Sequence, residues 1–101
     1  MQDNRYLFDN YINIARNFVT EKDYVKALKF YKKAYRFEQG RKDIELILDI
    51  ALLYDKLGYK DLSEEKYKEA IFIEEKDARA YYGLGVLYDE DGFLEDAIEY
   101  Y

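Results

Sequence analysis

Tyr81-Tyr82-Gly83-Leu84-Gly85-Val86-Leu87-Tyr88, followed by Ala97 and Tyr101, decides the fold of this chain. A large ring is followed three residues on by Leu-Gly, then by a second ring, a small residue and a third ring. The first part recurs upstream as Ile47/Ile50/Ala51/Tyr54 and as Tyr11/Ile14/Ala15/Phe18, always with a small residue in third place. Offsets of three, four and seven put each set on one face of a helix. A matching second set reads Ala27/Tyr31/Ala34, then Ser63/Tyr67/Ala70, then Ala97/Tyr101. Small residues let a partner's ring lie against the backbone, so large and small side chains interlock the two helices of a pair. Recurrence near 34 residues points to stacked helical pairs rather than a closed globule.

Composition is consistent with that reading. Half of the 101 residues are apolar and 19% are aromatic, which is ample for a core despite 38% charge. No proline and only five glycines favour long helices. Without Cys or His, disulfides, thiolate or imidazole catalysis and ordinary zinc sites are excluded. No apolar run reaches the roughly 18 residues of a membrane span, and the start lacks a signal peptide's apolar stretch, so a cytoplasmic chain with no membrane contact is expected. Charge is polarised: residues 1–42 net +5, and residues 43–101 net −11, in a chain of net −6.

The pattern predicts a first helix ending at Thr20 and a second over about 24–38 begun by the cap Asp23, with Gly40 in the loop that follows. Asp43 caps a third, which stops at Leu57-Gly58. Asp61-Leu-Ser-Glu64 resembles a capping box for a fourth. Asp77 caps the fifth, and Gly92 separates it from a sixth. No stretch alternates with period two, so no sheet is expected.

These residues together resemble the tetratricopeptide repeat, whose pattern is an aromatic, Leu-Gly, an aromatic, then Ala, an aromatic and Ala. The chain divides into a single domain, 1–101, with repeats at about 8–43, 44–77 and an incomplete 78–101, about 2.7 in all. The second copy departs with Ile47, Ala51 and Ser63. The first carries Lys22 where the others have Gly58 and Gly92, so its turn should differ. The resemblance implies an all-α, right-handed superhelical solenoid whose concave wall is lined by the first helix of each pair. It also implies binding of a peptide or partner protein, without catalysis or cofactor. Helix phase puts Ile12, Arg16, Leu48, Asp49, Leu52, Asp55, Tyr82, Val86 and Asp89 on that wall, an apolar strip with acidic borders. A partner with an apolar face and basic flanks suits it. In slots where chaperone-tail binders carry a carboxylate clamp, this chain has Ile12, Arg16, Asp49, Arg79 and Gly83; Asp49 argues against such a ligand.

Other readings stay open. The same face could pack against a following helix or a second copy, and the chain could be an oligomerisation or regulatory segment of a larger enzyme or sensor. Ala97, Ile98 and Tyr101, with no helix after them, favour fraying or self-association as a homo-oligomer. Lys22, Lys26, Lys29, Lys33 and Arg36 form a basic stripe. In an acidic chain this reads as a solvated face or a head-to-tail contact with the acidic 89–101 end, not as a nucleic-acid site. Gly83-Leu-Gly85 lacks the strand and third glycine of a nucleotide fingerprint. Glu64-Glu65, Glu74-Glu75 and Asp89-Glu90-Asp91 lack calcium-loop spacing, so no metal is expected. Thr20 and Ser63 have no base near them in the sequence, and no enzyme activity is expected.

Overall fold

A computed structural model describes residues 4–90 of the chain. They form six helices: α1 Asn4–Thr20, α2 Tyr24–Tyr35, α3 Glu38–Arg41, α4 Ile44–Lys56, α5 Lys60–Ile73 and α6 Ala78–Glu90. Among the described residues there is no strand. α1 pairs with α2 and α4 with α5; α4 then stacks on α2, and α6 on both α4 and α5. Side-chain links tie like to like along the stack. Arg79 of α6 bonds Glu45 of α4, while Tyr35 of α2 donates to Glu69 of α5. First helices therefore form one layer and second helices the other, as a helical-repeat solenoid requires.

The small residues sit where close approach was expected. Ala15, Ala51, Ala27, Ala34 and Ala70 are fully buried, and Gly85 is buried. Between the helices, Ile47, Ile50 and Leu84 are completely covered, each contributing roughly 1.5–3 kcal/mol. One cluster joins α1, α2 and α4, with Phe8, Tyr31, Ile50 and Tyr54 among its members. A second joins α4, α5 and α6 around Ile47, Tyr67 and Leu84. Ser63, which replaces the repeat's usual Ala, is also fully buried; its hydroxyl donates to the Ala51 carbonyl at 2.7 Å.

Caps mark the helix ends. Asp23 and Asp43 accept from the amides of Lys26 and Leu46 at 3.2 and 3.1 Å. Asp77 accepts from the Arg79 amide at 3.0 Å. α4 ends in a Schellman turn: Gly58 donates to Asp55 at 3.0 Å and Tyr59 to Tyr54 at 2.8 Å, with Gly58 at φ +89°.

Three local expectations are corrected. The α1–α2 turn does not differ from this one. Lys22 donates to Val19 and Asp23 to Phe18, both at 2.9 Å, and Lys22 itself takes φ +63°. Stacking demands the turn, and the lysine adopts a left-handed conformation to provide it. That conformation costs a non-glycine residue about 1 kcal/mol. Lys22→Gly should therefore stabilise the chain by about 1 kcal/mol, raising the melting temperature by roughly 4–8 °C; an unchanged melting curve would show that Lys22 bears no strain. Second, α2 stops at Tyr35 rather than near residue 38, because Phe37 is extended at φ −73°, ψ 149° and packs its ring edge-on against Phe8 at 6.2 Å. The chain then forms α3, so Gly40 lies in a helix and not in a loop. Third, Asp61 is not a cap: α5 starts at Lys60 behind Tyr59, which makes no side-chain cap bond.

Candidate functional site

The residues that helix phase assigns to a wall of α1, α4 and α6 differ in exposure. Ile12 and Leu48 are half-buried, rooted in the first and second core clusters. Leu52 is 45% exposed and Tyr82 66% exposed, so both present apolar surface to solvent. Val86 is half-buried, and Asp89 is exposed near the end of α6. Leu52 and Tyr82 are thus the most exposed apolar side chains among these residues, while Ile12 and Leu48 belong to the packing beneath.

Polar groups on the wall divide into engaged and available ones. Asp49 is half-buried, and burial raises its pKa above the usual carboxylate value; Arg16 opposes that rise, and Glu45 and Asp43 reinforce it. The Tyr31 hydroxyl lies beside Arg16 and Asp49, with its pKa raised by burial first and by Asp49 next. Arg16, Tyr31 and Asp49 therefore form a polar patch at the junction of the first and second repeats. Position 31 was read only as core, since ring packing dominates its spacing and nothing in that spacing reports where a phenol oxygen emerges. Asp55 stands apart, taken up by Lys60 across the α4–α5 turn. Arg79 is also committed: its guanidinium bonds the Asp77 carboxylate twice, at 3.0 and 2.6 Å, and reaches Glu45 as well. These bonds lower the Asp77 pKa and raise that of Arg79.

A family model described as "Tetratricopeptide repeat" matches residues 44–77 and 78–101, more than half of the chain. The chain belongs to the tetratricopeptide repeat family. Among curated proteins it is 31% identical over 71 residues to the photosystem I assembly protein Ycf3 of Prochlorococcus marinus (strain MIT 9301), covering 69% of this chain and 41% of that protein. It thus spans less than half the length of that relative. Among solved structures, the Arabidopsis OM64 tetratricopeptide domain superposes with a TM-score of 0.86 at 17% identity, covering 97% of this chain and 79% of that one. The second tetratricopeptide domain of Spaghetti (RPAP3), solved with an HSP90 peptide SRMEEVD, gives a TM-score of 0.80 at 18% identity, covering 92% and 84%. At such identities the structures establish the fold.

At the positions compared above with a carboxylate clamp, both basic residues stand close to acids. Arg79 is held by two acids, and Arg16 stands beside Asp49. Ala97, Ile98 and Tyr101 lie outside the described residues. Among the described residues no group of three or more His, Cys, Asp or Glu could hold a metal ion, and no helix is long and apolar enough to cross a membrane.

The basic stripe on α2 is resolved into two parts. Lys26 pairs with Asp23 at 3.8 Å and lies over the Phe18 ring. Lys29 also lies over the Phe30 ring and Lys33 over the rings of Tyr11 and Phe30, and with Arg36 they line one depression together with Lys32, which the stripe had omitted although it stands four residues before Arg36.

Proposed function

We propose that the chain is a protein-interaction module whose α1–α4–α6 wall binds a peptide or partner protein with an apolar face and basic flanks. The observation that carries this reading is the exposure of Leu52 and Tyr82 beside the half-buried Asp49. An apolar strip with few, fixed polar groups is the usual character of a peptide groove. Asp49 gives the strip its preference for a cation. Burial makes its charge costly, and a Lys or Arg from a partner offsets that cost where Arg16 does so only in part. The same carboxylate, with Arg79 already occupied, disfavours a terminal carboxylate of the kind present in the SRMEEVD peptide bound to the Spaghetti domain.

Wall variants must separate binding from folding. Leu48 is rooted in the core, so a charge there would test both at once. Tyr82→Asp and Leu52→Asp alter exposed side chains and should leave helical circular dichroism unchanged. Each is expected to weaken capture of an apolar, lysine-flanked helical peptide at least about tenfold, near 1.4 kcal/mol. Asp49→Asn should weaken it too, while raising stability at neutral pH. The sign follows from linkage: a carboxyl whose pKa is higher folded than unfolded destabilises the fold above that pKa and ceases to do so as pH falls below it. Unaltered peptide capture by all three variants in fluorescence anisotropy would remove the wall as the site.

A further inference from the structure

We propose that the basic ridge of α2 docks the acidic segment 89–99 of a second copy of this chain. Lys29, Lys32, Lys33 and Arg36, with the buried Leu28 and the exposed Val25, line a depression of about 400 Å³ along α2. None of the four cations meets a carboxylate among the described residues. The acids nearest in sequence are already engaged: Asp23 by Lys26, and Glu38 by Lys42. Glu69 of α5, which reaches α2, is bound by Tyr35 and Lys66. Lys29–Lys32, Lys29–Lys33, Lys32–Arg36 and Lys33–Arg36 are like-charged neighbours at helical spacings of three and four, an arrangement that opposes the helix. An anionic occupant relieves all four repulsions together.

The complementary charge is within the chain. Asp89, Glu90, Asp91, Glu95, Asp96 and Glu99 fall within eleven residues, and no Lys or Arg follows Arg79. The basic ridge belongs to the first helical pair, and the acidic segment begins in the last residues of α6, the first helix of the third. A contact between them joins different surfaces of two molecules, the heterologous mode that extends or closes into rings. The ridge lies on α2, apart from the α1–α4–α6 wall of the proposed function, and the acidic segment shares only Asp89 with that wall.

Sedimentation of the full chain across concentration and salt tests it. Raising salt from about 0.01 to about 0.15 M shortens the Debye length from roughly 30 to roughly 8 Å and should weaken self-association at least tenfold. Lys32→Glu with Arg36→Glu should be monomeric throughout, and so should Glu95→Lys with Asp96→Lys. An equimolar mixture of the two charge-reversed proteins should associate again, because one reversed segment then faces one reversed ridge. Circular dichroism of each variant confirms that these surface changes leave the helices intact. A monomeric wild type at every salt overturns the proposal, as does association that ignores salt or survives ridge reversal. A salt-dependent change without a change in mass assigns the segment to its own ridge and overturns the two-copy contact. Retention of a DNA oligonucleotide by a monomeric wild type, lost on ridge reversal, assigns the ridge to nucleic acid and overturns it as well.

Discussion

Tyr67→Ala is expected to lower the stability of the chain by about 3–5 kcal/mol, the cost of truncating a buried aromatic. Against the roughly 5–15 kcal/mol of a typical domain, that leaves a protein close to unfolding. Tyr67 is 6% exposed and belongs to the cluster that joins α4, α5 and α6. Its ring occupies a notch that exists only because residue 83 is glycine: a Cβ there would stand 2.3 Å from the ring. The two positions should consequently be coupled. In the wild type, Gly83→Ala gains about 1 kcal/mol of helix propensity but meets overpacking that costs about 1–3 kcal/mol, so a net loss is expected. In the Tyr67→Ala background the notch is empty, and the same substitution should stabilise by about 1 kcal/mol. Urea titration of the four proteins measures the cycle. If Gly83→Ala has the same effect in both backgrounds, the ring does not lie against residue 83.

This coupling shows what sequence could and could not reveal. The three-four-seven spacing of Tyr11, Ile47 and Tyr81 with their followers is a property of helix geometry, and the fold follows from it directly. Asp23 and Asp43 were legible as caps because their side chains act on amides three residues away. Gly83 was not, since its reason is a ring sixteen residues earlier on another helix. Lys22 hid the turn it makes, because the backbone there is dictated by stacking against the residue's own preference. Asp61 looked like a cap on local grounds, yet Ser63 turns inward to the Ala51 carbonyl and Gly58 starts the turn that precedes α5. On the wall, the phase of Leu52 and Tyr82 was readable. The capture of Asp55 by Lys60, and of Arg79 by Asp77 and Glu45, depends on side-chain reach across turns and between repeats.

Gly40→Ala is the second large effect, expected to cost about 3 kcal/mol, at the upper end for overpacking. The cause differs from those at Gly58 and Gly83. Gly58 is needed for its left-handed backbone and has open space around it, and Gly83 faces a ring. A Cβ on Gly40 would stand 2.2 Å from the Ala34 carbonyl oxygen and 2.9 Å from the Tyr35 Cα. Both atoms are helix backbone at the end of α2. Ala34 is fully buried, and its oxygen accepts from the Phe37 amide at 3.1 Å, so it has no rotamer with which to yield. The added methyl must instead push α3 away from α2. α3 leads through Lys42 to Asp43, the cap of α4, so displacement there misplaces the helix that carries Leu46 and Ile50 into the first core cluster. Gly40→Ala should lower the urea midpoint more than Gly58→Ala, which loses only the left-handed backbone, about 1 kcal/mol. Equal losses at the two sites would mean that the α2–α3 corner opens freely, and that α3 does not set the position of α4.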